Sequence, residues 1–169
     1  MIPDYSHLLG KEFDEGRQNC YSTIRAFYDV VFGIELRDYA NPHRWWDMGG
    51  NLFMENFQKE GFQLLNCPAR DYQFGDVIIM GINAPVGNHS AVIVENNKIL
   101  HHLVGQRSCV THYGGLFRNT TLAVLRRPDV IVPTGTLDFS SLFPVYVARQ
   151  SQELETPEQS SSPEAGPGT

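Results

Sequence analysis

The hydrophobic pattern of the chain changes at Phe74-Gly75-Asp76, and this change constrains the fold more than any other feature. Before this point apolar residues recur at helical spacing, and after it short apolar runs rich in β-branched residues alternate with turns. Strands joined by short turns indicate an antiparallel meander. Because the helices precede the strands, the sequence predicts an α+β fold in which N-terminal helices pack on one side of an antiparallel β-sheet. The predicted strands are VIIMGI, SAVIVE, KILHHL, CVTHY and LAVLRR.

The segment that follows Asn19 is predicted to be an amphipathic helix. Asn19 is suited to cap its N-terminus, and Gly33 is suited to end it. Cys20 then lies in the first turn, where unpaired backbone N–H groups and the positive end of the helix dipole stabilise a thiolate. The apolar residues at helical spacing are Ile24, Phe27, Tyr28, Val31 and Phe32.

A second helix is predicted in the segment NLFMENFQKEGF, residues 51–62. The segment between the two helices, RDYANPHRWWDMGG, is rich in aromatic residues and is predicted to be an irregular loop. The apolar side of the second helix is expected to comprise Leu52, Phe53, Phe57 and Phe62.

The length of 169 residues suits one domain with an appendage. We predict the domain at residues 1–127 and a proline-interrupted extension at 128–149, which packs on the domain or docks on a partner. Residues 150–169 are acidic and rich in Pro and Ser, so they are predicted to be disordered when alone. This tail has four glutamates and no Lys or Arg; removing its −4 from the net charge of −6 leaves −2, which does not favour nucleic-acid binding.

The sequence also bears on the compartment in which the protein is made. No apolar run reaches the roughly 18 residues of a membrane-spanning helix, so no membrane insertion is expected. The first residues lack the basic and apolar segments of a signal peptide. The cysteines Cys20, Cys67 and Cys109 cannot all pair, and their spacing does not suggest a disulfide framework or a zinc knuckle. Synthesis in a reducing compartment is the simpler interpretation.

Cys20 is the candidate nucleophile, and His89 is its candidate general base. A hairpin that turns at Asn96-Asn97 places residues 89–93 opposite 100–104, within a slip of one or two, so His101 is expected near His89. There it could orient the imidazole of His89. His102 is expected to point to the opposite face of the sheet.

Each of these residues also has an ordinary structural interpretation. Free cysteines are often small buried apolar residues, and this role is favoured for Cys67 and Cys109. A histidine at a strand end, such as His89, is often only a surface residue. A zinc site is the competing functional hypothesis, but no HxxxH or CxxC pair fixes two ligands on one face. Its candidate ligands would be His89, His101, His102, Cys109 and His112.

Taken together, these residues resemble the NlpC/P60 cysteine peptidases. The resemblance rests on Cys20 at a helix start, on the segment 74–76 ahead of an apolar strand, and on the pair His89 and His101 separated by strand, turn and strand. It covers about residues 8–127. Four further stretches resemble the phage tail assembly proteins of the lambda K type within this family: HHLVG at 101–105, SC at 108–109, YGGLFR at 113–118 and VLR at 124–126.

The resemblance implies a papain-like α+β core that hydrolyses bacterial cell-wall peptides, typically between D-glutamate and diaminopimelate or lysine. It implies that Cys20 is the nucleophile, that His89 is the base and that His101 orients His89, with no cofactor. It further implies a place in the tail of a phage virion after synthesis in the host cytoplasm. The expected partners are a peptidoglycan peptide as substrate and tail-tip or hub proteins.

Two residues depart from the pattern of the family. Asn19 stands where the family usually has Asp, and it keeps the capping role without the charge. Phe13 stands where the family often has a tyrosine that helps to stabilise the oxyanion, and it has no hydroxyl group to donate. The alternative to an active peptidase is therefore a structural tail-tip or tail-assembly subunit that retains the fold with little or no activity. An acyltransferase or amidase on the same fold also remains open.

Overall fold

The computed structural model describes residues 4–39, 44–95 and 97–132. Its α-helices are α1 (Cys20–Phe32), α2 (Leu52–Lys59) and α3 (Leu116–Asn119). Its strands are β1 (Gln63–Leu64), β2 (Val77–Met80), β3 (His89–Glu95), β4 (Lys98–His101), β5 (Cys109–His112) and β6 (Thr121–Arg126). Most of the predicted extension at 128–149 and the whole predicted tail at 150–169 lie outside the described residues, as do residues 40–43 and Asn96.

The six strands of the described residues form one antiparallel sheet in the order β1-β6-β2-β3-β4-β5, which confirms the predicted α+β class. The prediction of a simple meander was right for β2 to β5 and wrong for β6. That strand returns past the start of the meander and pairs with β2, with Ile78 opposite Val124. All four residues of β2 are buried, so the strand needs a partner on both edges to satisfy its backbone N–H and C=O groups. No sequence pattern had predicted β1, the short strand at the outer edge.

Helix α1 begins and ends where the sequence predicted. The Asn19 side chain accepts a hydrogen bond from the Ser22 N–H at 3.0 Å, and the Ser22 hydroxyl accepts one from the Asn19 N–H at 2.8 Å. This reciprocal capping box satisfies two backbone donors at the helix start. Gly33 ends the helix in the left-handed conformation, with a φ of 66°. The face that packs towards the sheet includes Ile24 and Phe27, both fully buried.

Helix α2 is shorter than the predicted segment. Its Phe53 and Phe57 are buried as expected, whereas Leu52 is only half-buried. Phe62 is also buried, but it follows the helix end and packs edge-on against Phe57 at a ring distance of 5.0 Å. Gly61, with a φ of 86°, makes the turn that brings Phe62 back onto the helix.

The segment 74–76, at which the hydrophobic pattern changes, anchors β2 to β6. Asp76 is 1% exposed, and each of its carboxylate oxygens accepts a hydrogen bond of 2.7 Å from the guanidinium group of Arg126. The Tyr28 hydroxyl donates to the carbonyl of Gly75 at 2.5 Å, which ties α1 to the same turn. A bidentate pair of this kind fixes both position and orientation.

The sheet has a second apolar face, away from α1. Its core alternates along the strands and is completed by Tyr113 and by the half-buried Phe117 of α3. The buried members from the strands are Ile78, Met80, Ala91, Ile93, Ile99 and Val124. Within the described residues no helix is long and apolar enough to cross a membrane.

Candidate active site

Cys20 occupies the first position of α1 and is 8% exposed. Burial raises the pKa of its thiol, while the neighbouring Ser90 and the backbone of Tyr21 and of Cys20 itself act in the opposite direction. The helix start therefore assists the thiolate, as the sequence predicted, but the net shift of the pKa is upward. A thiol in this environment needs a nearby base to take its proton at neutral pH.

His89 and His101 form a hydrogen-bonded pair of imidazoles. The register of β3 and β4 sets Ala91 opposite His101, so His101 lies diagonally from His89 across the ladder. The Nε2 atom of His89 is 3.3 Å from the Nδ1 atom of His101, and the two rings are nearly perpendicular, at 84°. The expected proximity of the two histidines is thus confirmed. The bond leaves Nδ1 of His89 as the ring nitrogen that His101 does not engage.

Both histidines are neutral at physiological pH. Burial lowers the pKa of His89 to about 3, and the neighbouring His101 and His102 lower it further in the same direction. Burial also lowers the pKa of His101 to about 4, with a smaller contribution from His102. Each ring then carries one N–H donor and one acceptor nitrogen, so His89 can accept a proton from a thiol.

The second ring nitrogen of His101 has partners that the sequence did not reveal. Its Nε2 atom lies 3.1 Å from the Thr111 hydroxyl oxygen and 3.6 Å from the Cys109 sulfur. Phe117 packs against the ring at a centroid distance of 4.7 Å. Because His101 is opposite Cys109 in the ladder, Thr111 is the diagonal neighbour on β5. A sequence-based prediction of the register between β4 and β5 would have identified Thr111 as a neighbour of His101.

His102 points away from His101, as strand alternation predicted. It is fully buried, and its Nδ1 atom lies 3.5 Å from the Thr23 hydroxyl of α1. Its Nε2 atom is 3.1 Å from the carbonyl oxygen of Gln106. Phe13 packs edge-on against the ring at 5.2 Å. His102 therefore joins α1, the end of β4 and the N-terminal segment.

Cys20 and His89 are brought together in one cavity of about 60 Å³, whereas His101 lies behind His89 and does not line it. Phenylalanine and tryptophan side chains form part of the wall, and sequence reasoning missed this role for Trp45, Trp46 and Phe53. The other lining residues are Phe13, Glu15, Asn19, Asn88, His102 and Val104. A much larger cavity of about 640 Å³, beside Tyr72 and Tyr113, contains none of the candidate catalytic residues.

The wall of the small cavity is mostly apolar and its groups suit acyl transfer. A thiol, a neutral imidazole and the backbone N–H groups of a helix start stand together there. Groups of these kinds can serve as a nucleophile, a base and donors for a developing oxyanion. Within the residues that the structure describes, no three His, Cys, Asp or Glu side chains are grouped as metal ligands.

Comparisons with known proteins agree with this geometry. The model of the NlpC/P60 family matches residues 10–126. Tail tip assembly protein K of Escherichia phage N15 is 32% identical over 128 residues, which cover 73% of this chain and 50% of that protein. Tail tip assembly protein K of Escherichia phage lambda is 32% identical over 120 residues, which cover 71% of this chain and 59% of that protein. The chain therefore spans between half and three-fifths of the length of these relatives.

A solved structure from Staphylococcus aureus, described as similar to a lipoprotein of the NLP/P60 family, has a related fold. It superposes with a TM-score of 0.51 at 17% identity and covers 72% of this chain and 38% of that chain. At this identity the likeness concerns the fold alone.

Proposed function

The chain belongs to the NlpC/P60 family, and from this premise we propose that it is a phage tail-associated cysteine peptidase that hydrolyses the stem peptides of bacterial peptidoglycan. Its similarity to two tail tip assembly proteins supports the association with a tail. On this proposal its partners are tail-tip or hub proteins, its substrate is a peptidoglycan peptide, and its place is the tail of the virion.

The observation that carries the proposal is the shared cavity of Cys20 and His89, with His101 hydrogen-bonded behind His89. A purely structural role for a buried cysteine would not explain why the imidazole of His89 lies in the same cavity and is hydrogen-bonded to His101. This arrangement supports the roles of nucleophile, base and orienting group that we propose for the three side chains.

The proposed reaction begins when His89 Nδ1 takes the thiol proton of Cys20. The thiolate attacks the carbonyl carbon of the scissile amide, and the backbone N–H of Cys20 donates to the oxyanion. His89 then gives the proton to the leaving amine, the C–N bond breaks and a thioester remains. Water, deprotonated by His89, attacks the thioester, which releases the carboxylate product and restores the thiol.

Throughout this cycle His101 acts through His89. When His89 is an imidazolium, its Nε2–H donates to His101 Nδ1 across the 3.3 Å contact. The bond stabilises the charged ring in a site where burial otherwise disfavours it. On this proposal the bond also keeps Nδ1 available to accept the thiol proton.

The direct test is the release of soluble peptides from purified peptidoglycan, measured by mass spectrometry for the wild type and Cys20→Ala. We expect release by the wild type and none by Cys20→Ala, because alanine has no nucleophile. Cys67→Ala is the matched control, since Cys67 lies outside the cavity, and it should cleave like the wild type. Equal release by Cys20→Ala and the wild type would refute the proposal, and the masses of the products identify the bond.

One observation favours a second function, that of a structural tail subunit on the same fold. Phe13 lines the cavity and contacts His102, and it has no hydroxyl to donate to an oxyanion. Loss of one such donor reduces rates by about 10²–10³ in enzymes where it was measured. In this alternative the protein is retained for assembly, and neither the wild type nor Cys20→Ala releases peptides.

Restoring the hydroxyl at this position distinguishes a weak enzyme from an inactive one. We expect Phe13→Tyr to raise the initial rate of peptide release by about tenfold, because a phenol can donate a hydrogen bond to the oxyanion. Phe74→Tyr, which adds a hydroxyl outside the cavity, is the control and should leave the rate unchanged. A rate for Phe13→Tyr at or below that of the wild type would contradict the expectation.

A further inference from the structure

The hydrogen-bonded chain that starts at His89 does not end at His101. The Nε2 atom of His101 lies 3.1 Å from the hydroxyl oxygen of Thr111, within ordinary hydrogen-bonding distance. Thr111 is half-buried on β5, opposite Ile99 in the ladder, and strand pairing therefore fixes its backbone. Thr111 does not line the cavity that Cys20 and His89 share. It does contact the ring of His101, which is hydrogen-bonded to His89.

The proton positions in this chain follow from the bonding rules of a neutral imidazole, which has one N–H donor and one acceptor nitrogen. To take a proton at Nδ1, His89 must carry its own proton at Nε2 and donate it to His101 Nδ1. His101 then accepts at Nδ1, so its proton is at Nε2, where Thr111 lies. Once His89 is an imidazolium this order is compulsory, because both of its nitrogens are donors.

We propose that Thr111 is a positioning residue whose hydroxyl oxygen accepts the Nε2 proton of His101 and thereby holds His89 in the tautomer that can deprotonate Cys20. The inference rests on the proposed peptidase function and adds one residue to it. Without an acceptor at this place, the tautomer of His101 with its proton at Nδ1 is as stable as the one with its proton at Nε2. In that tautomer His101 Nδ1 donates to His89 Nε2. The proton of His89 is then at Nδ1. His89 then faces Cys20 with an N–H group and cannot act as a base.

The other neighbour of this nitrogen does not replace Thr111. The Cys109 sulfur lies at 3.6 Å, and a neutral thiol is only a weak acceptor. Burial raises the pKa of Cys109, which keeps it a thiol at neutral pH. The hydroxyl oxygen of Thr111 is therefore the stronger of the two acceptors that the fold offers.

Thr111→Val tests the proposal, because valine keeps the shape and strand propensity of threonine and removes the acceptor. Protein labelled with ¹⁵N-histidine reports by NMR which ring nitrogen carries each proton, and His89→Gln and His101→Gln assign the signals. We expect His101 to be protonated at Nε2 in the wild type and to shift towards Nδ1 in Thr111→Val. The rates of Cys20 alkylation by iodoacetamide at pH 7 and of peptide release should fall about tenfold, and Thr111→Ser should restore all three readouts.

Thr121→Val is the matched control. Thr121 is also a strand threonine with a bonded hydroxyl, but its partners are Tyr113 and the carbonyl of Phe117. It should lose a similar amount of stability without changing the protonation of either histidine ring. A Thr121→Val variant that shifts the rings as much as Thr111→Val would assign the effect to general loosening and overturn the proposal.

Two further results would overturn the inference, and neither depends on peptidase activity. One is a wild-type His101 protonated at Nδ1, which needs no variant to fold. The other is a Thr111→Val protein with unchanged ring protonation and an unchanged rate of Cys20 alkylation. If instead the rings shift as expected while no variant, nor the wild type, releases peptides, the positioning role of Thr111 stands and the proposed function fails.

Discussion

His89→Gln is expected to lower the rate of peptide release by about 10³-fold, a loss in the range measured for general bases. Glutamine is close to histidine in size and can still bond to His101, so the fold should persist. It cannot take a proton from Cys20 at neutral pH. Burial already raises the pKa of that thiol, so without the base almost none of it is thiolate. Alkylation of Cys20 at pH 7 should fall with the cleavage rate.

His112→Gln provides the control for this variant. His112 is exposed on β5 and its ring contacts Asn97, away from the cavity. The same substitution there should leave both rates within about twofold of the wild type, as expected for surface changes. If His89→Gln kept more than about one tenth of the wild-type cleavage rate, His89 would not be the general base.

The second large effect concerns stability at low pH. The pKa of His89 is about 3 and that of His101 about 4 in the folded protein, both lowered mainly by burial from the usual value of 6.5. Between pH 6.5 and these lowered pKa values, the unfolded chain binds more protons than the folded one. The free energy of unfolding therefore falls as the pH falls through this range. From pH 7 to pH 4, His89 alone should reduce the free energy of unfolding by about 3 kcal/mol.

Urea denaturation at pH 7, 5 and 4 measures this effect. The loss should begin near pH 6.5, the ordinary pKa of histidine, and continue towards pH 3, where the folded His89 begins to accept a proton. His89→Gln should show a shallower loss of stability over the same range, because glutamine does not titrate. A free energy of unfolding that is constant from pH 7 to pH 4 would contradict the buried, neutral state of both histidines.

The parts of the structure that the sequence predicted are those fixed by residues near one another in the chain. The bounds of α1 follow from Asn19 and Gly33, each of which acts on backbone groups within one turn. The proximity of His89 and His101 follows from one hairpin and its alternation. Both features need only local rules, and both were confirmed.

The parts that were missed depend on pairing over long distances. The place of β6 is set by its contact with β2, about 45 residues earlier, and by the ion pair of Arg126 with Asp76. Part of the aromatic wall of the cavity comes from Trp45 and Trp46, which lie in a segment without hydrophobic periodicity. Thr111 is found only once the register of a second hairpin is known. In each case the sequence shows the residue but not which distant residue it contacts in the fold.

The strand order has a consequence for how the chain folds as it is synthesised. Among the described residues β6 is the last strand in sequence, yet it inserts between β1 and β2 in the sheet. Until the ribosome has released it, β2 presents an open edge of unpaired N–H and C=O groups, which invites pairing with other chains. Every candidate catalytic residue is made before Thr121, but the sheet that supports them closes only afterwards. Folding of the site therefore waits for a strand that contributes nothing to its chemistry, as long-range pairing requires.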